Sequence, residues 1–151
     1  MKFDILIIGG GPCGSTAASE LAEKGFKVAL LDRAGRIKPC GGAIPPILID
    51  EFDIPETQLV AKINTARMVS PSFREVDIPI ENGFVGMVDR EHFDEFLRTR
   101  AAEKGAYRLT GTFQKIERSG NFPKIHYKDK LSGKKETILA RLVIGADGAR
   151  S

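Results

Sequence analysis

The stretch that decides the fold runs from Lys2 to Arg33 and reads KFDILIIGGGPCGSTAASELAEKGFKVALLDR. Phe3 to Ile8 form an apolar run, broken once by an aspartate, that favours a strand buried on both faces of a parallel sheet. Residues 15–24 carry alanine and leucine at helical spacing, and Gly25 stands where a helix C-terminus is expected. Lys27 to Leu31 are expected to form the second strand, which ends at Asp32. The order strand, turn, helix, strand predicts a βαβ unit.

The turn of this unit carries Gly9, Gly11 and Gly14 at the spacing GxGxxG. Gly9 permits a tight turn, Gly11 lets a pyrophosphate approach the backbone, and Gly14 lets the helix pack closely against the sheet. The helix N-terminus offers N–H groups and a partial positive charge to the phosphates. Asp32, 18 residues after Gly14, can accept hydrogen bonds from the adenosine ribose and would repel a 2′-phosphate. The pattern predicts a site for FAD or NAD, not NADP, with a structural glycine turn as the alternative.

The chain has two cysteines, Cys13 and Cys40. The N-terminus does not read as a secretory signal, so free thiols in a reducing compartment are favoured over a disulfide. Cys13 precedes Gly14 at a small-residue position and is expected to be a buried packing residue. Cys40 lies in KPCGGAIPP, residues 38–46, where three prolines exclude a helix and predict a loop of constrained shape.

The bulk composition is that of a soluble globular domain: 151 residues, 42% hydrophobic and 28% charged. Lysine and arginine alternate with acidic residues and the net charge is only +3, which excludes a nucleic-acid patch. No apolar run approaches the roughly 20 residues that cross a bilayer. His92 and His126 are isolated from other ligand types, so no metal site is expected.

The middle of the chain predicts small elements. Ile47 to Phe52 resembles a short helix, and residues 55–62 receive no assignment. Three short strands are expected, and the alternation of REVDIPI indicates an antiparallel sheet with one wet face. These strands are Ala66 to Val69, Phe73 to Ile80 and Phe84 to Val88.

A second amphipathic helix follows, with Asp89 as its N-cap and Gly105 at its end. Its apolar stripe comprises Phe93, Phe96, Leu97 and Ala101, while Arg98 is expected on the surface. Tyr107 to Leu109 should be a third parallel strand and Leu142 to Ile144 a final buried one. Between them a meander is expected over Thr112 to Arg118, Lys124 to Lys128 and Glu136 to Ala140, with turns at SGN and LSGK. The whole predicts a doubly wound α/β domain with antiparallel β-meander additions.

This arrangement resembles the Rossmann-like FAD-binding half of the flavoprotein hydroxylase and reductase superfamily. GGGPCGSTAA resembles its first fingerprint and VIGADGARS, with Gly145 to Ser151, its second. The stretches KPCGGAIPP, EFDIP, MVSPSFREVDI, GMVDREHFDEFLRTRA and IHY narrow the resemblance to geranylgeranyl reductases. Within that family the chain is most similar to the enzymes that saturate the prenyl tail of chlorophyll or bacteriochlorophyll precursors. Asp32 departs from the family, which often has glutamate there.

The resemblance implies the positions that contact FAD. The loop after the second strand passes along the flavin, and the helix-opening arginine pairs with pyrophosphate or the ribityl chain. Cys40 is also a candidate for helping to deliver a proton, with plain packing in a glycine turn as the alternative. The implied cofactor-binding residues are Gly9, Gly11, Cys13, Gly14, Asp32, Arg33, Cys40, Gly41, Ala43, Arg90, Phe113, Asp147 and Gly148.

The resemblance also implies an activity, in which hydride passes from NADPH to FAD and then to isolated double bonds of a geranylgeranyl chain. Members run to more than twice this length, so residues 1–151 are expected to be one FAD-binding domain, inactive alone, without the further Gly-Asp motif and substrate domain. The implied substrate is a geranylgeranylated small molecule or lipid, in the cytoplasm or at the periphery of a photosynthetic membrane. The alternatives are a flavoprotein hydroxylase, a quinone oxidoreductase or a non-catalytic dinucleotide-binding module.

Overall fold

A computed structural model describes residues 1–33, 40–81, 83–118, 120 and 122–149. The start of the KPCGGAIPP loop, two residues of the SGN turn and the last two residues of the second fingerprint lie outside this part. Within it the chain forms ten strands, three α-helices and a short 3₁₀ helix. In chain order they are β1 (Lys2–Ile8), α1 (Pro12–Glu23), β2 (Val28–Asp32), β3 (Ala43–Ile44), α2 (Pro46–Glu51), the 3₁₀ helix (Glu56–Gln58), β4 (Ala61–Ile63), β5 (Thr65–Val69), β6 (Glu75–Pro79), β7 (Val85–Met87), α3 (Arg90–Glu103), β8 (Tyr107–Glu117), β9 (Lys124–Asp129) and β10 (Lys135–Gly145).

These elements belong to two compact units, one of residues 1–36 with 94–151 and one of residues 37–93. The first unit contains a parallel sheet in the order β8, β2, β1, β10. In its register Ile5 lies opposite Val28 on one side and Leu142 on the other. The predicted βαβ unit is therefore confirmed, and the first glycine of the turn follows the carboxyl end of β1.

Strands β8 and β10 each take part in two pairings. Residues 107–110 of β8 pair parallel with β2, and residues 111–117 pair antiparallel with β9. Residues 135–139 of β10 pair antiparallel with β9, and residues 139–145 continue parallel to β1. The five strands thereby close into a barrel.

The division of each of these strands into two was wrong. A β-bulge between Phe113 and Lys115 bends β8 without ending it. At Gly111 a Cβ atom would lie 2.6 Å from the Tyr127 ring, so the absent side chain lets the strand pass close to β9. The glycine marks a close approach inside one strand, where the sequence suggested a break.

The parallel sheet is buried on both faces. One face carries α1 and α3 over a core of Ile5, Ile7, Ala18, Val28, Leu30, Ala101 and Ala106. The other face is covered by the meander, with a core of Phe3, Leu6, Ile8, Ala29, Leu31, Leu109, Ile125, Tyr127, Ile138 and Ala140. The predicted α/β fold with meander additions is confirmed. Helices α1 and α3 both lie on one face, where a doubly wound sheet has helices on both, because the meander occupies the second face.

Helix α3 has the predicted ends and stripe. The Asp89 carboxylate accepts a hydrogen bond from the Glu91 amide at 2.9 Å, which confirms the N-cap. Phe93, Leu97 and Ala101 are buried. Gly105, at φ +103°, ends the helix. None of the helices in the described residues has the length and apolarity that a membrane span requires.

The second unit consists of an antiparallel sheet in the order β3, β7, β4, the helix α2 and a separate β5–β6 hairpin. The short helix and the antiparallel pairing are confirmed. The expectation of one dry face on the hairpin was wrong, since every residue of β5 and β6 is exposed. The Arg67 guanidinium holds the two strands together through Asp77, at 2.7 and 2.9 Å.

Candidate cofactor-binding site

The turn after β1 is packed so closely that two of its glycines have no room for a side chain. Gly9 has φ +110°, and a Cβ atom there would lie 2.4 Å from the carbonyl oxygen of Ala146. A Cβ atom on Gly14 would lie 1.9 Å from the carbonyl oxygen of Gly9. The Ala146 amide also donates to the Ile8 carbonyl at 2.7 Å. The two fingerprints are therefore in contact, and Gly14 has the close packing that was predicted for it.

The N-terminus of α1 opens onto this turn. Gly11 is the N-cap in an extended conformation, and Pro12 takes the first helical position, where its missing N–H costs nothing. No side chain caps this end and its first turn has no acidic residue. The backbone N–H groups and the positive end of the helix dipole are thus presented to an anion.

Another glycine of the turn, Gly10, is important for its packing, although the GxGxxG motif assigns it no role. Its amide donates to the Asp32 carboxylate at 2.8 Å. A Cβ atom at this position would lie 2.8 Å from the Asp32 Cβ and 3.0 Å from the Arg98 Cδ. GxGxxG treats this position as variable, and the run of three glycines was the signal that it is not.

Arg98 on α3 is the second residue that sequence reasoning missed. Its side chain is only 13% exposed, so its predicted surface position was wrong. The guanidinium donates from Nη1 to the Gly10 carbonyl at 3.0 Å and from Nε to Glu95 at 2.9 Å. Nη1 also lies 3.8 Å from the Asp32 carboxylate. Arg98 stands three residues before buried Ala101, and this helical spacing could have revealed it.

Glu95 joins Arg98 to a second arginine. Its carboxylate lies 2.8 Å from Nη1 of Arg108 on β8. Burial on its own raises the pKa of the Glu95 carboxyl, but hydrogen bonds from Arg108 and Arg98, together with their charges, outweigh burial and hold this pKa below its ordinary value. Charges of alternating sign therefore run from Asp32 through Arg98 and Glu95 to Arg108.

Replacing Glu95 with glutamine is expected to lower the free energy of unfolding near neutral pH by less than about 1 kcal/mol, because half-exposed ion pairs are screened by solvent. The folded pKa lies below the unfolded one. The contribution is therefore complete above the unfolded value, roughly 4.3, and is lost as the pH falls through the folded value. Thermal unfolding between about pH 7 and pH 3 should show a gap between wild type and variant that closes on the acid side.

The exposed Glu20 on α1 provides the control for this experiment. Glu20→Gln is expected to unfold at the same temperature as the wild type throughout the pH range. A Glu95→Gln gap that stays constant down to about pH 3 would contradict the ion pairing.

The second fingerprint follows β10. Gly148 has φ +89°, and Asp147 is half-buried. Asp147 and Phe113 line one cavity of about 510 Å³ together with Ile8. The first unit thus brings Gly9, Asp32 and Asp147 to the carboxyl edge of its parallel sheet, and Phe113 lines the same cavity as Asp147.

Within its described residues, 40–46, the KPCGGAIPP segment contains a short strand. Ala43 and Ile44 form β3, which pairs with Met87 and Gly86, so the loop prediction was wrong for these two residues. The reason is Gly42, whose φ of +72° turns its carbonyl toward the amide of Val88 at 2.9 Å. The Gly42 amide in turn points at the Cys40 sulfur at 3.5 Å.

The remaining candidates are distributed over several elements. Neither cysteine forms a disulfide, as predicted, but Cys13 is exposed and its predicted burial was wrong. In the first turn of α1, Gly14 and Ser15 are the buried residues and Cys13 points outward. Arg33 is exposed directly after β2, and Arg90 is the half-exposed first residue of α3. Gly41 is exposed, and a Cβ atom on it would meet nothing within 4 Å.

Comparison with known proteins gives a consistent picture. A family model described as pyridine nucleotide-disulphide oxidoreductase matches residues 3–151. The geranylgeranyl diphosphate reductase of Rhodobacter capsulatus is 63% identical over 151 residues, which is all of this chain and 39% of that protein. The chloroplastic geranylgeranyl diphosphate reductase of Nicotiana tabacum is 42% identical over 161 residues, covering 97% of this chain and 34% of that protein.

Among solved structures, a geranylgeranyl bacteriochlorophyll reductase-like protein from Thermoplasma acidophilum aligns with a TM-score of 0.85 at 26% identity. The alignment covers 97% of this chain and 39% of that one. The chain therefore spans less than two fifths of the length of both of these reductases.

Proposed function

Because the chain belongs to the pyridine nucleotide-disulphide oxidoreductase family, we propose that it is the N-terminal FAD-binding part of a geranylgeranyl reductase. The observation that carries the proposal is the 63% identity with the Rhodobacter capsulatus enzyme over every residue of this chain. That identity confirms the resemblance read from the motifs. The whole protein would use NADPH to saturate the isoprenoid double bonds of geranylgeranyl diphosphate or of a (bacterio)chlorophyll precursor.

The residues at the carboxyl edge of the parallel sheet fit a dinucleotide such as FAD. The turn between β1 and α1 has no side chain at Gly9 and Gly14, where a Cβ atom would occupy space already filled by carbonyl oxygens. The helix that follows has an uncapped N-terminus without acidic neighbours in its first turn. Both properties favour the close approach of a pyrophosphate.

Each residue then has a defined task. Gly11 and the first amides of α1 bind the pyrophosphate, with exposed Cys13 beside them. Asp32 accepts from the adenosine ribose, and Arg33 and Phe113 flank the adenosine. Asp147 and Gly148 contribute the second fingerprint. These assignments rest on the motif and on the position of each residue in its own unit.

In the second unit, Cys40, Gly41 and Ala43 are proposed to line the flavin, and Arg90 to pair with phosphate or ribityl oxygens. Gly41 suits this task because the space that a Cβ atom would take there is open. Bound FAD supplies the hydride chemistry by which NADPH reduces the double bonds. The protein's own residues bind and orient it, and the Cys40 thiol is a candidate for holding a proton near it.

The substrate is proposed to be a geranylgeranylated small molecule or lipid. A geranylgeranyl group partitions into bilayers. We therefore propose that the protein is cytoplasmic and works at the periphery of a photosynthetic membrane. An apolar twenty-carbon tail requires a long apolar enclosure, which residues beyond these 151 would provide.

The test of cofactor binding is a titration of the intact apoprotein with FAD, followed by flavin fluorescence. Wild type is expected to bind saturably, and Gly11→Asp to bind at least about a hundredfold more weakly, because a carboxylate at the helix N-terminus repels the pyrophosphate. Gly120→Asp is the control for the added charge, since it lies at a meander turn where a Cβ atom meets nothing within 4 Å and where aspartate tolerates the φ of +61°.

Equal affinities of wild type and Gly11→Asp would place the cofactor elsewhere, and absence of binding to the intact wild type would refute the proposal. Analysis of the products formed from NADPH and a geranylgeranyl substrate then distinguishes a reductase from a hydroxylase. A reductase adds two hydrogen atoms per double bond, whereas a hydroxylase inserts oxygen.

A further inference from the structure

Arg98 makes more contacts than an ordinary ion pair on the surface of a helix. Its guanidinium bridges three elements of the first unit: the glycine turn through Gly10, the end of β2 through Asp32, and its own helix through Glu95. It does so while only 13% exposed. Arginine loses little freedom for each bond that its planar fork makes, so it suits a junction of this kind.

The same contacts fix the peptide groups of Gly10. Its N–H donates to Asp32 at 2.8 Å, and its carbonyl accepts from Arg98 at 3.0 Å and from the Ser15 hydroxyl at 3.2 Å. A side chain at this position would overlap both Asp32 and Arg98. The glycine turn, the carboxylate and the guanidinium therefore form one close-packed assembly.

The orientation of the Asp32 carboxylate follows from this assembly. Oδ2 accepts from the Gly10 amide, while Oδ1 is the oxygen that faces Arg98. Aspartate has one methylene fewer than glutamate, so it has one torsion fewer by which its carboxylate could adjust to a ribose. A hydrogen bond from the ribose to Asp32 therefore depends on the protein holding the carboxylate in the right orientation.

We infer that Arg98 is a positioning residue for recognition of the adenosine ribose. It closes the glycine turn against the end of β2 and thereby aims the Asp32 carboxylate at the ribose hydroxyl groups. The Glu95 carboxylate, which also pairs with Arg108, balances the charge of Arg98. The inference rests on the proposed FAD site and names a residue outside both fingerprints that serves it.

The test compares two ligands, FAD and an analogue that lacks the 2′-hydroxyl of the adenosine ribose, on the intact protein. Wild type is expected to bind FAD about tenfold to a hundredfold more tightly than the analogue, since a hydrogen bond to a carboxylate is lost. Arg98→Gln should lower the affinity for FAD by a similar factor and bring the ratio of the affinities for FAD and the analogue close to one. Arg98→Lys, which keeps the charge but loses the fork, should give an intermediate ratio.

The ratio separates positioning from general support of the fold. If the role of Arg98 is purely structural, its replacement will lower the affinities for both ligands equally. The ratio will then stay at the wild-type value, which would overturn the inference. Lys104→Gln removes an ion pair with Glu23 just after the same helix and should leave both affinities unchanged. If Arg98→Gln does not fold, the ratio in Arg98→Lys decides, and a wild-type ratio there overturns the inference.

Failure of the proposed function gives a different result. Wild type that binds neither ligand refutes the FAD site itself. Wild type that binds both ligands equally retains the FAD site but shows that Asp32 does not read this hydroxyl, which overturns the inference alone.

Discussion

Gly14→Ala is expected to destabilise the protein by about 3 kcal/mol or more. Inside a helix this change ordinarily stabilises by roughly 0.5–1 kcal/mol. Here the new methyl group would lie 1.9 Å from the carbonyl oxygen of Gly9, and backbone on both sides leaves no flexible side chain to move. Helix α1 must shift off β1, and the first fingerprint is displaced with it.

The measurement is thermal unfolding, where the expected loss corresponds to a fall in Tm of roughly 10 °C for a chain of this size. Gly145→Ala is the matched control, since its nearest new contact would be an Asp147 oxygen at 3.9 Å. The control should unfold within a degree or two of wild type. A Gly14→Ala protein as stable as the control would show that α1 is not held against the turn as described.

A pair of neighbouring glycines gives the second large effect. Gly42→Ala is expected to destabilise the second unit by about 2–3 kcal/mol, because φ is +72° and the methyl group would lie 2.1 Å from the Val88 carbonyl oxygen. Gly41→Ala should leave stability unchanged, because its methyl group meets nothing within 4 Å. Under the proposed function, Gly41→Ala should instead lower the affinity for FAD about tenfold or more, because its methyl group would crowd the flavin.

The two variants therefore separate folding from binding. Protease resistance and Tm report on Gly42→Ala, while the FAD titration reports on Gly41→Ala. Loss of stability in Gly41→Ala, or unchanged stability in Gly42→Ala, would contradict the structure of this segment. Unchanged FAD affinity in a stable Gly41→Ala would remove Gly41 from the proposed flavin site.

The parts of the fold that the sequence predicted are those set by local patterns. The βαβ unit and the N-cap at Asp89 follow from spacing, helix ends and apolar runs within a few dozen residues. The two long strands could not be recognised as continuous, because what joins their halves is a change of pairing partner and not a change in local conformation. Periodicity reports which face is buried but not which strand lies alongside.

The site shows the same limit. Gly9, Gly11, Gly14 and Asp32 follow from a motif whose spacing has a physical meaning. Gly10 and Arg98 do not, because their importance arises from contacts across 88 positions of the chain. Cys13 was assigned to the interior from its small neighbours, although the rotation of the helix turns it outward.

The continuity of β8 and β10 ties the thermodynamics of distant parts together. Opening the meander would also withdraw the strand segments on either side of β1 and β2, so the meander and the parallel sheet should open as one cooperative unit. A ligand held at the carboxyl edge of the parallel sheet then stabilises the whole barrel by mass action, in proportion to the logarithm of its concentration over its dissociation constant. Cofactor supply would thus set how long the meander survives cellular proteolysis.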